Sequence, residues 1–123
     1  SQTIVTSEKI KFRNKASKSI KISRPITVSK KSSDGSESTW FALTNQRKEI
    51  IEIIECTDGT AKFSSLEFSS PGTYRYYVYE ISDIEKGISE TDDYIMIEFN
   101  VTRNKSNNLH AVMTIYGAER IEF

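Results

Sequence analysis

The chain has 123 residues, 37% hydrophobic and 11% aromatic, with a net charge of zero; this suits one domain with a real core and argues against disorder. No apolar run approaches the ~18 residues of a membrane span, and no signal peptide is present, so export would be programmed elsewhere. The single Cys56 excludes an internal disulfide.

The zero balance hides an asymmetry. Residues 1–31 carry nine Lys or Arg against Glu8 alone, and the remainder carries sixteen acids against eight bases. A basic arm of this kind reads as a solvated charge run, or as the end of one copy stacking head-to-tail on the acidic body of the next. Nucleic-acid binding is poorly supported, because no aromatics interleave the bases and no nucleic-acid motif occurs.

Strand signals dominate along the chain. Residues 3–12 (TIVTSEKIKF) read as a hairpin, and Ile26 to Lys30 alternates. Residues 32–38 are a polar loop, and Thr39 to Thr44 (TWFALT) is a strand. Glu49 to Cys56 (EIIEIIEC) fits a helical turn or a strand; the β-propensity of Ile and the Asp58-Gly59 turn favour strand. Strands follow at 61–68 and 73–80, then a polar connection at 82–93 with room for a helical turn. Tyr94 to Thr102 is a strand, Arg103 to Asn108 a turn, and 109–116 with 119–123 a closing hairpin. Many short strands at near-regular spacing predict an all-β sandwich.

The ends echo each other. TIVTSEKIKF (3–12) and TIYGAERIEF (114–123) align without a gap, sharing Thr, Ile, Glu, Ile and Phe, with a base at Lys9 and Arg120. One reading is tandem domains out of phase: residues 1–25 form the last hairpin of a preceding domain plus a linker, and 26–123 form the domain. The other is chance similarity between two amphipathic hairpins.

The most informative stretch is FSSLEFSSPGTYRYYVYE (63–80). Period-two alternation puts Tyr74, Tyr76, Val78 and Glu80 on one strand face after the Pro71-Gly72 turn. A carboxyl ending an apolar face needs a proton or a partner.

The pattern F-x-x-L-x-F-x-x-P-G-T-Y-x-Y-x-V-x-E (Phe63–Glu80), with I-T-V-S-K (Ile26–Lys30) and the T-W-F-A-L strand, resembles the isopeptide-linked domain of streptococcal major pilins, the FctA or T-antigen type. The resemblance implies an immunoglobulin-like, Cna B-type β-sandwich on a Gram-positive cell surface. It implies Lys30 as amine donor and Glu80 as catalytic acid. Asn14, in I-K-F-R-N, matches the family's F-x-N acceptor motif. Two departures stand out: Glu90-Thr91 replaces the usual Tyr-Asp pair, and by the echo the domain's own asparagine belongs two places beyond Phe123.

The residues support this chemistry independently. Ile26, Val28 and Lys30 share a strand face, so burying that face buries the amine. Desolvation favours the neutral forms of both lysine and glutamate. A neutral amine is a nucleophile, and a protonated acid can assist an amide and pass a proton to the leaving ammonia. Lys31 points the other way and is the control. The plain alternatives are a surface Lys30 with its head in water, a Glu80 paired to a surface base, and a turn residue at Asn14. A Lys30–Asn14 bond would clip only about sixteen residues. By analogy with disulfides, closure near Phe123 would span the domain and add ~4.5 rather than ~3 kcal/mol.

Other sites are thin. His110 is the only histidine, which leaves a His-based triad or metal cluster unsupported. Cys56 reads as a small buried residue. No phosphate-binding glycine loop occurs, and no cofactor is implied. Asn100-Val101-Thr102 and Asn104-Lys105-Ser106 match glycosylation sequons. The sequence thus predicts a tension-bearing pilus or stalk module, partnered head-to-tail by neighbouring domains or subunits. The alternative is an adhesin domain that binds a host surface ligand through loops 32–38 and 82–93 or the basic arm. An enzyme that turns over has no convergent catalytic set to support it.

Overall fold

The computed structural model describes residues 2–6, 10–13, 18–31, 39–57, 59–81, 85, 87–88, 93–116 and 120–122. For 2–6, 10–13, 31 and 120–122 only the backbone is described. Among the described residues twelve strands run in chain order: β1 Gln2–Thr6, β2 Ile10–Arg13, β3 Ile20–Ile22, β4 Thr27–Lys31, β5 Thr39–Thr44, β6 Ile50–Cys56, β7 Thr60–Lys62, β8 Leu66–Phe68, β9 Gly72–Ile81, β10 Tyr94–Arg103, β11 Leu109–Tyr116 and β12 Arg120–Glu122. No helix occurs among the described residues.

A six-stranded sheet has the order β2-β11-β10-β9-β5-β6, a four-stranded sheet β12-β1-β4-β7, and a two-stranded sheet β3-β8. Every pairing is antiparallel. Alternation along the long strands sends Phe41, Leu43, Val78, Ile95, Ile97, Phe99, Val101, Ala111 and Met113 into one buried cluster. Ile20, Ile22, Ile26, Val28, Phe63 and Phe68 meet them from the smaller sheets and their connections. Each such large side chain contributes ~1.5–3 kcal/mol by leaving water.

The segment at 49–56 is a strand, as its isoleucines favour. The stretch 61–68 is not one strand but two. β7 pairs with β4, β8 pairs with β3, and the chain changes partner at Phe63. Phe63 is fully buried and donates its N–H to the Ile26 carbonyl at 3.0 Å, which pins the crossing. Two tight connections share a device. The Asn45 side-chain oxygen accepts the N–H groups of Arg47 and Glu49, and that of Asn104 accepts those of Ser106 and Asn108. Such Asx turns satisfy backbone donors that the sheet leaves free.

The stretch 1–25 supplies strands to all three sheets. β1 lies between β4 and β12, and β2 lies beside β11. Of the echoing segments, β1 pairs antiparallel with β12, Thr3 with Ile121, while β2 pairs with the part of β11 that precedes the second echo, Phe12 with Ala111.

Candidate functional site

Lys30 shares the inward face of β4 with Val28, which is fully buried. Glu80 shares the inward face of β9 with Val78 and lies opposite Phe41 of β5. The two polar groups thus project from different sheets into one interior. They meet there, with Lys30 Nζ 3.1 Å from Glu80 Oε1 and side chains only 10% and 6% exposed. The partner of the Glu80 carboxyl is Lys30, the lysine that the resemblance implies and that strand alternation puts on the face of Val28.

A third group completes the arrangement. Thr39 opens β5 on the same face as Phe41 and Leu43, and it is 4% exposed. Its hydroxyl oxygen accepts a hydrogen bond from Lys30 Nζ. Thr39 was not singled out in the sequence, although the period of TWFALT places it inward with Phe41.

The backbone holds Lys30 from behind. Its N–H donates to the Gly59 carbonyl at 2.8 Å. Gly59 has φ +88°, a conformation that favours glycine. Gly59 therefore does more than lie between β6 and β7, because it anchors the strand that carries the amine.

Aromatic rings back the lower part of β9. Phe68 packs on Tyr74 and Phe99 with ring centroids 4.6 and 5.2 Å apart, and Tyr76 meets Phe99 edge-on at 5.8 Å. Tyr74 donates its hydroxyl to the Ser70 carbonyl at 2.7 Å. Burial, and then the neighbouring Tyr74, raise the Tyr76 hydroxyl pKa above its ordinary value of 10.0.

Asn14 lies outside the described residues, as do Glu90-Thr91, and the Lys31 side chain is not described. The strand before Asn14 is placed. Arg13 pairs with His110, His110 with Thr102, and Val101 with Gly72, so Arg13 is level with the Gly72 end of β9. Glu80 is near the far end of that strand, roughly 25 Å away at ~3.3 Å per residue. The strand beside Lys30 is β1, which puts Thr3 level with it. Cys56 is buried at the end of β6, and His110 is half-buried on β11 opposite Thr102. Among the described residues no group of three His, Cys, Asp or Glu is arranged to hold a metal, and no helix is long and apolar enough to cross a membrane.

An amine and a carboxyl held together between two sheets, out of water, is the arrangement an isopeptide-forming domain requires. The family model described as FctA, Spy0128-like isopeptide containing domain, matches residues 3–123. The chain belongs to this family. Comparison with curated proteins gives no match. Membership makes the all-β architecture that of an immunoglobulin-like isopeptide domain, and the role of an FctA-type domain is structural and pilin-like.

Proposed function

We propose that this FctA-family domain is a tension-bearing module of a Gram-positive surface pilus or adhesin stalk, stacked head-to-tail with its neighbours. In this reading Lys30 forms one amide bond with an asparagine, and Glu80 assists. The observation that carries it is the 3.1 Å approach of Nζ to Oε1 between the two sheets at a nearly closed site.

The step balances without a cofactor. Nζ attacks the asparagine Cγ, the Nζ–Cγ bond forms and the Cγ–Nδ2 bond breaks. Glu80, protonated, hydrogen-bonds the amide oxygen. It then relays a proton from Nζ to Nδ2, which leaves as ammonia. Glu80 ends as it began, and the reaction happens once per molecule.

The acceptor follows from the echo. Asn14 stands two places after Phe12, so the matching acceptor for Lys30 belongs two places after Phe123. Asn14 is then the acceptor of a preceding domain, with 1–25 its closing strands and linker and 26–123 the domain proper, whose sheets β1, β2 and β3 extend. The gapless match of TIVTSEKIKF with TIYGAERIEF supports this. It also leaves open exchange between copies, with Asn14 of one reaching Lys30 of another.

Intact-mass measurement on the mature protein tests the proposal. One bond per domain removes one ammonia, about 17 Da, and Lys30→Ala and Glu80→Ala each restore the full mass. A second reading, a ligand-binding adhesin domain without a cross-link, draws on the exposed Ile51, Ile53, Tyr94 and Tyr116. Full mass in the unaltered protein, together with host-surface binding that survives both substitutions, would favour it.

A further inference from the structure

We propose that Thr39 is a positioning residue that aims the lone pair of the Lys30 amine. This deepens the cross-linking reading and rests on it. Lys30 Nζ has two acceptors on different side chains, Glu80 Oε1 and Thr39 Oγ1. They come from adjacent strands of the six-stranded sheet, and Thr39 is the more deeply buried, at 4% exposure.

A deprotonated amine has two N–H groups and one lone pair. Two acceptors take up the two N–H groups, so the lone pair is left in the remaining tetrahedral direction, away from both. With Glu80 alone, the amine can rotate about its Cε–Nζ bond and the lone pair sweeps a cone. With Thr39 as well, the rotation is fixed and one direction remains for an incoming carbonyl carbon. Orientation of this kind is a recognised share of rate acceleration in intramolecular reactions.

The choice of a hydroxyl matters. A carboxylate at position 39 would add a negative charge beside the amine. Threonine accepts the hydrogen bond without adding charge. Its own proton is not consumed, so Thr39 emerges from the cross-linking step unchanged.

The test compares T39V, which keeps the shape and removes the acceptor, with T39S, which keeps the acceptor. Two readouts are taken on the full-length protein. The first is the rate at which newly synthesised protein loses ammonia, followed by intact mass. The second is the mobility of the Lys30 ε-methylene, from NMR on protein carrying labelled lysine, with the exposed Lys62 and Lys105 as references. T39V is expected to slow ammonia loss about tenfold and to bring Lys30 mobility toward that of the references, while T39S restores both to within about twofold. A merely structural role would lower thermal stability in T39V without changing the mobility of Lys30 in the folded state. Equal rates in the unaltered protein and T39V, with the unaltered protein losing ammonia, overturn the role of Thr39 alone. No ammonia loss in the unaltered protein overturns the cross-linking reading and the reactive role of Thr39 with it.

Discussion

At the scale of single residues, the buried Lys30–Glu80 pair is held by mutual compensation. Removing one partner takes a hydrogen bond from the other at a site only 10% or 6% exposed, which costs ~1–3 kcal/mol for a buried polar group. In protein that has not cross-linked, Lys30→Ala and Glu80→Ala should each lower stability in urea unfolding. The double variant should lose clearly less than the sum of the two. Thr44 offers the opposite expectation. It is fully buried and its hydroxyl has no hydrogen-bond partner among the described residues, so Thr44→Val should raise stability by about 1 kcal/mol in the same measurement. Tyr76 sets an alkaline limit. Its folded-state pKa is raised above 10.0 by burial, so its contribution is fully present below pH 10 and is lost as pH rises through the folded value. Tyr76→Phe should flatten the fall in melting temperature above pH 10 and leave the neutral range nearly unchanged.

At the scale of elements, the turn that anchors β4 carries a specific cost. Gly59 sits at φ +88°, and a Cβ there would lie 3.5 Å from the Lys30 carbonyl. That contact is ordinary, so the penalty of Gly59→Ala comes from the backbone conformation, about 1–2 kcal/mol. Thermal unfolding should show it, and the cross-link should still form where the fold persists. Strands were legible in proportion to their length. β9 and β10 each run for ten residues, enough for the period of two to declare a buried face. β3 and β8 have three residues each, too few for a period, and their existence depends on each other rather than on local sequence. The single strand expected over 61–68 failed for the same reason. Phe63 is apolar and in phase with Ala61, yet the chain there leaves β4 to join β3, a tertiary choice that the pattern does not encode.

At the scale of the whole molecule, the site was half legible. Parity along two strands put Lys30 and Glu80 on apolar faces, and burial then requires each to find an opposite partner. That logic allows the pair, and the family resemblance names it. Thr39 was in phase with Phe41 and Leu43, but a threonine at the end of a strand is too common to read as a ligand of an amine. Which asparagine would serve Lys30 in the proposed reaction turns on the echoing ends. The echo itself was visible in the sequence; the pairing of β1 with β12 across it was not. Mechanically, a bond from β4 to a closing strand puts most of 26–123 inside one covalent loop, so tension on the ends passes through the link. The prediction at this scale is an asymmetry under load. Pulled from its ends, the cross-linked domain should extend far less than the Lys30→Ala variant before it resists.

The most direct measurement is peptide mapping of the mature protein by tandem mass spectrometry. The account predicts a branched peptide in which the Lys30 side chain is joined to an asparagine residue with loss of one ammonia, absent from the Glu80→Ala variant. A linear peptide carrying an unmodified Lys30, recovered in full yield from folded, assembled protein, would contradict it.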